Sequence, residues 1–175
     1  MPEEELYSFT SILEASTNKL WGCHFGVPDF VVAALSGAGE ARRVVCTLNE
    51  KKTLQCALLP RGDGSFLITV NKKLRDQLGV KIGMKVQASL KKDESRYGLP
   101  MPEEMAEVLA QDEQANRLFH ALTPGKQRTL LYIAGHVKNT DGRIARALAI
   151  AEHLKAGQGK IDYRQLNEDL KNNRR

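Results

Sequence analysis

A unit of some forty residues occurs twice in the first ninety positions, and a duplication constrains a fold more tightly than composition does. In the first copy Val27-Pro28-Asp29-Phe30-Val31-Val32-Ala33-Ala34-Leu35 leads through Gly37 to Val44, Cys46 and Leu48. In the second, Val70-Asn71-Lys72-Lys73-Leu74-Arg75-Asp76-Gln77-Leu78 leads through Gly79 to Val86, Ala88 and Leu90. The copies lie about 43 residues apart, and removing one residue before Gly37 brings the apolar anchors into register.

Each copy has the same local logic. A strand runs into Pro28 or Asn71, since proline tolerates the first helical position and asparagine caps orphan amides. A short helix follows, and Gly37 or Gly79 stops it by entering the left-handed conformation cheaply. The next strand alternates, with Val86, Ala88 and Leu90 set between Lys85, Gln87 and Ser89, so one face is buried and the other wet. Two further strands precede these units, at about Leu6 to Ala15 and Thr53 to Leu59. Pro60-Arg61-Gly62-Asp63-Gly64 is a turn signal that hairpins the second onto Ser65 to Val70. Ser16-Thr17-Asn18-Lys19 occupies the equivalent turn of the first copy. The two halves supply about six strands, enough to close a small barrel without exposed edges.

Near Lys91-Lys92-Asp93-Glu94-Ser95 the apolar period changes from two to 3.6, and Tyr97-Gly98-Leu99-Pro100-Met101-Pro102 reads as a linker. Two domains are expected, 1–95 and 96–175. In the second, Pro102-Glu103-Glu104 opens a helix with acids at its positive end, carrying Met105, Val108 and Leu109. A short helix with Leu118, Phe119 and Leu122 comes next. Thr123-Pro124 starts a third, whose buried stripe is Leu130, Ile133, Ala134 and Val137. Asn139-Thr140-Asp141-Gly142 breaks the pattern before a helix from about Arg143 to Lys155, burying Ile144, Ala147, Leu148, Ala151 and Leu154. Gly157 and Gly159 end it, and Asp162 caps a last helix through Tyr163, Leu166 and Leu170. The fold class is therefore α+β: a small closed β-barrel from an internal duplication, then an all-α domain.

Twenty-six Lys and Arg against 21 Asp and Glu give a net charge of +5. The excess is spread over both halves, whereas a dedicated nucleic-acid binder concentrates it on one face or tail. Cys23, Cys46 and Cys56 form no CxxC pair and stand near no metal-spaced histidines, so they read as reduced, buried thiols with no metal or cofactor implied. Cys46 and Cys56 flank the Asn49-Glu50-Lys51-Lys52 turn and can face each other across a hairpin. The acidic start Met1-Pro2-Glu3-Glu4-Glu5 is unlike a signal peptide, and no apolar run is long enough to span a bilayer, so a cytoplasmic protein is expected. Nothing sets the oligomeric state beyond a monomer or weak dimer.

The stretch Phe66 to Leu90, with Gly79-Val80-Lys81-Ile82-Gly83 between helix and strand, resembles the AbrB/MazE class of swapped-hairpin barrels, in which two chains each supply one half. Both halves lie in one chain here, as in a bacterial family of single-chain double-split barrels known only as a domain of unknown function; the resemblance covers about residues 5 to 92. The helical half resembles the YdeI/OmpD-associated, or bacteriocin-protection, family. The resembling residues are Pro102 to Leu109, Asp112, Phe119, Thr123-Pro124, and Lys138-Asn139-Thr140-Asp141-Gly142-Arg143 with Arg146. That family favours Lys-x-x-Glu-Thr-Arg followed by another arginine three residues on; this chain has Asp141 for the glutamate and Gly142 for the threonine. The resemblance implies an association with envelope stress and no defined reaction.

The most suggestive constellation is Arg128, Tyr132 and His136, spaced i, i+4, i+8, with Lys138, Arg143 and Arg146. The first three share the helix face opposite the apolar stripe, where a phosphate or carboxylate can be gripped. Arg146 and His153 flank the buried stripe of the next helix, so an antiparallel pair would bring these groups into one basic pocket. Cys23-His24 is no nucleophile-base pair, because adjacent strand residues point to opposite faces; a buried cysteine beside an exposed histidine is expected. Gly157-Gln158-Gly159-Lys160 and Gly125-Lys126 lack phosphate-loop spacing and context, and no HExxH, GxSxG or GxGxxG occurs. Arg61-Gly62-Asp63 reads as part of a hairpin turn rather than an adhesion motif. The leading expectation is a non-enzymatic binding or regulatory protein whose basic helical face takes nucleic acid or an acidic protein surface. The alternatives are a small-molecule site or enzyme using Tyr132, His136 and Arg143 in a pocket between barrel and helices, and a protective interaction protein.

Overall fold

Alternation in the first ninety residues translates directly into strands whose inward residues form one core. The computed structural model describes residues 5–16, 22–36 and 42–173. The chain divides into two compact units, Met1–Glu94 and Ser95–Arg175.

The first unit runs β1 (Tyr7–Ile12), β2 (Glu14–Ala15), β3 (Cys23–Val27), α1 (Asp29–Leu35), β4 (Arg43–Leu48), β5 (Lys52–Ala57), β6 (Leu59–Pro60), β7 (Phe66–Thr69), α2 (Lys72–Leu78) and β8 (Lys85–Lys92). The strands form two four-stranded antiparallel sheets, ordered β1-β8-β4-β5 and β2-β3-β7-β6. The expected long strands are each bent in two. Leu13 separates β1 from β2 and Leu58 separates β5 from β6, so the same segment serves first one sheet and then the other. Both leucines are buried, and the backbone stays bonded through the bends: Leu13 N–H donates to Met84 O at 2.9 Å and Leu58 N–H to Arg42 O at 2.8 Å.

The two copies are interlocked rather than adjacent. The first strand of each pairs with the last strand of the other, β1 with β8 and β5 with β4. Phe25, Val27, Val44, Cys46, Leu48, Ile68, Val70, Val86, Ala88 and Leu90 contribute to one shared core, so each copy covers apolar surface that the other would leave wet.

Asn71 behaves as its sequence position requires: its Oδ1 accepts from Leu74 N–H at 2.8 Å, and Gly79 closes α2 in the left-handed region at φ 67°. Pro28 departs from expectation. It stands at the cap position, just before the first helical residue, with extended ψ and no side-chain bond. Gly37 and most of the Ser16–Lys19 turn lie outside the described residues. The Pro60–Gly64 turn forms, with Asp63 accepting from Ser65 N–H and Gly62 and Gly64 at positive φ. Two expectations about side chains fail. His24 is 5% exposed rather than open to solvent: Glu14 and Thr69 stand opposite it on the flanking strands, and its Nε2 lies 3.6 Å from Glu14 Oε2. Cys56 is only half-buried, since β5 is an edge strand.

The second unit is all helix among its described residues: α3 (Glu103–Gln111), α4 (Glu113–His120), α5 (Pro124–Gly135), α6 (Thr140–Ala156) and α7 (Tyr163–Asn172). None is long and apolar enough to cross a membrane. Helix α6 packs against α3, α4, α5 and α7, which explains its early start and its broad buried face. Asn139 caps it by accepting from Gly142 N–H, so the residues read as a break are a helix start. Ala147, Ala149, Ile150, Ala151, His153 and Leu154 are buried, while Ile144 and Leu148 are exposed. Helix α5 ends at Gly135, which leaves Val137 beyond it, and Leu131 takes the expected place of Val137 in the core. Asp112 caps α4 and Asp162 caps α7.

Candidate functional site

The expected linker is part of the helical unit. His120 Nδ1 lies 2.9 Å from the Asn116 carbonyl, which can only accept, so that nitrogen carries the proton. Its Nε2 then accepts from the Tyr97 hydroxyl at 2.8 Å. Tyr97 also packs on the buried ring of Phe119, so the segment before α3 is fastened to α4 from within.

With Tyr97 held, Leu99-Pro100-Met101-Pro102 forms one wall of an open groove of about 680 Å³, completed by Glu103 and Glu104 of α3, Leu131, Tyr132 and Gly135 of α5, and His136 and Arg143. The two prolines donate no backbone N–H, so this wall offers apolar surface without competing polar demands. Across it Tyr132 and His136, one turn apart, stack at 4.9 Å between centroids. Tyr132 is 58% exposed, and a large aromatic left open beside a groove is a surface a ligand can cover. Gly135 sets the groove's width: a Cβ there would stand 3.2 Å from Pro102 Cγ.

Arg143 lines the same groove, but its donors face the scaffold. Its Nε bonds Glu104 Oε1 at 2.8 Å, Nη1 bonds Lys138 O at 2.6 Å and Val137 O at 3.2 Å, and Nη2 reaches Thr140 Oγ1 at 3.3 Å. Glu104's own backbone amide and the Arg143 guanidinium together hold its carboxyl below the usual glutamate value. Arg146 acts alike, donating from Nη1 to Ile133 O at 2.8 Å. A helix leaves its last four carbonyls without internal partners. The two arginines of α6 satisfy carbonyls at the end of α5 and just beyond it, and Arg143 ties that turn to α3.

The six residues singled out in the sequence therefore divide. Tyr132, His136 and Arg143 share the groove. Arg146 lines a separate cavity of about 490 Å³ with Val137, Asn139, Gly142 and Leu170. Arg128 is half-buried near Gly125, and Lys138 is exposed. One basic pocket holding all six does not form, because the guanidiniums of Arg143 and Arg146 reach back to main-chain oxygens. His153, flagged beside Arg146, is buried; its Nε2 accepts from Asp162 N–H at 3.1 Å and its Nδ1 lies 3.4 Å from Asp169 Oδ2. It joins α6 to α7 and offers no free ring nitrogen.

The sequence reading missed the wall, residues 99 to 104, because a Pro-rich run between periodic segments reads as connection. The available signal was its apolarity: Leu99 and Met101 would be unusual in a solvated linker. Gly142 is explained as well. A Cβ there would come within 2.7 Å of Asn139 Oδ1, the atom that caps α6.

Residues 9–90 match the family model of a domain of unknown function, DUF1905, and residues 99–157 match the model described as bacteriocin-protection, YdeI or OmpD-associated. No curated protein matches the chain. Every residue lining the groove lies within the second matched segment.

Proposed function

From a chain that carries a DUF1905 segment followed by a YdeI/OmpD-associated segment, we propose a binding protein whose helical domain takes a small amphipathic ligand in the groove between residues 99–104 and α5. The observation that carries this reading is the exposed Tyr132–His136 ring pair facing a proline-rich apolar wall. An apolar body fits between wall and rings. A hydrogen-bonding or acidic end meets the His136 imidazole and the Tyr132 hydroxyl, on the side of the groove away from the Glu103 carboxylate that also lines it. Arg143, neutralised by Glu104, contributes shape more than charge.

We read the two sheets, joined through the bends at Leu13 and Leu58, as a double-split barrel serving as scaffold, with the domains divided near residue 95. A thermal-shift screen of the full chain against aromatic and aliphatic carboxylates tests the ligand reading. A ligand at one hundred times its Kd stabilises by about 2.7 kcal/mol. Tyr132→Ala and His136→Ala should abolish the shift. If no compound stabilises the protein, or if hits persist in both variants, the reading is wrong.

A second reading keeps an anionic macromolecule as partner and rests on Arg128 and Lys138, which have no acidic partner among the described residues. Two cations release few counterions, so log K against log salt would have a slope of only about −2. The matched family's description also supports a protective role against bacteriocins, and challenge of a deletion strain tests it.

A further inference from the structure

We propose that Cys46 and Cys56 form a dithiol site for small hydroperoxides, in which Cys56 attacks the peroxide and Cys46 resolves the product to a disulfide inside the β4–β5 hairpin. The register brings the two together. Val44 faces Cys56 and Cys46 faces Leu54, so both sulfurs project from the same side of the sheet as diagonal neighbours. They are hydrogen-bonded to each other. Cys23 lies on β3 in the other sheet, buried.

The pair is asymmetric in the way such chemistry needs. Cys46 is completely buried on an inner strand. Cys56 is half-buried on an edge strand, at the margin of the core, and is the more exposed of the two. The hydrogen bond from Cys46 holds the Cys56 thiol below its usual value, with Arg43 adding to the effect and burial and Asp93 opposing it. The same bond and burial push Cys46 up, so it stays a thiol. The thiolate is the nucleophile, which assigns attack to Cys56.

The steps balance. Cys56 thiolate displaces alkoxide or hydroxide from the peroxide, which takes up a proton and leaves as alcohol or water; Cys56 becomes a sulfenic acid. Cys46, released from its bond to the thiolate, gives up its proton as it attacks that sulfur; the departing hydroxyl takes that proton and leaves as water, and the S–S bond forms. Two thiols lose two electrons and the peroxide gains them. Diagonal α-carbons lie about 7–8 Å apart in a flat sheet, slightly beyond the ~4.4–6.8 Å of a relaxed disulfide, so closure draws the free edge strand β5 inward. The resulting bond is readily reduced.

Reduced full-length protein should be treated with one equivalent of hydrogen peroxide, alkylated, and analysed by intact mass and peptide mapping. The expected product is lighter by two hydrogens, with Cys46 linked to Cys56 and Cys23 alkylated. Oxygen adducts on Cys56 without the cross-link, or oxidation of Cys23 first, would overturn the proposal. In Cys46→Ala, checked for fold by circular dichroism, Cys56 should stop at a dimedone-trappable sulfenic acid. Its alkylation below neutral pH should slow about tenfold for each unit its pKa rises; an unchanged rate removes the assigned role of Cys46. If that variant does not fold, the wild-type peptide map decides alone.

Discussion

Phe25 and Ile68 stand directly opposite each other across β3 and β7, and both are fully buried. They are equivalent positions of the two copies, 43 residues apart. Thr47 and Ser89 form the corresponding pair across β4 and β8. Each of these hydroxyls meets a second one on the neighbouring first strand, Ser89 with Ser8 at 2.9 Å and Thr47 with Thr53 at 3.0 Å. Equivalent residues meet where a pseudo-twofold axis crosses a sheet, so the registers alone locate the axis.

Truncation at the axis should be costly and coupled. Phe25→Ala is expected to lose about 3–5 kcal/mol and Ile68→Ala about 2–5 kcal/mol. The double variant should depart from additivity by about 0.5–3 kcal/mol, as neighbours do. Urea unfolding of the three proteins measures both, and strict additivity would show that the two side chains do not share a packing site.

Asn71→Ala removes the bond to Leu74 N–H and should cost about 1 kcal/mol. Asn71→Asp keeps an acceptor in place and should recover most of it. Chemical denaturation distinguishes the two, and equal losses would mean the cap is not the cause.

The Glu104–Arg143 pair predicts a direction of acid sensitivity. A carboxyl whose folded pKa lies below its unfolded value stabilises the fold above the unfolded value, and that stabilisation is lost as pH falls through the folded one. Asp112, held down by the Ala115 amide and Lys155, adds in the same sense. Thermal melts from about pH 5 to pH 2, starting just above the usual carboxylate range, should fall less steeply for Glu104→Gln than for the wild type. The variant should already be less stable at neutral pH.

Widening or filling the groove should act on binding before it acts on the fold. Gly135→Leu projects a side chain toward Pro102 and should abolish ligand-induced stabilisation while leaving the helical circular dichroism signal intact. Gly135→Ala should nearly balance, its helix-propensity gain of about 1 kcal/mol being offset by displacement of the Pro102 ring. Titration calorimetry with any compound found in the screen separates these outcomes.

What could be read in advance follows from how local each signal is. Val44, Cys46, Leu48 and Val86, Ala88, Leu90 alternate because one sheet face is wet, and the pattern needs no tertiary knowledge. Asn71 and Gly79 act through their own backbone. The stripe of α6 was misread because a helix packed by four others buries more than one row, so Ala149 and His153 go inside while Ile144 and Leu148 stay out. The cation cluster failed as a pocket for another nonlocal reason. Whether an arginine faces a ligand or a stranded carbonyl depends on where the preceding helix ends, and Gly135 ends α5 early.

The exchange of first strands between the copies bears on how the chain is made. A nascent polypeptide that has emerged only as far as Leu48 holds β1 without β8 and β4 without β5, so neither strand of the β1-β8-β4-β5 sheet has its neighbour. That sheet is complete only when residues near Lys92 have emerged, some eighty positions after Tyr7, and such distant pairing is slow. During that interval on the ribosome, the apolar strands of the leading copy need shelter from other chains.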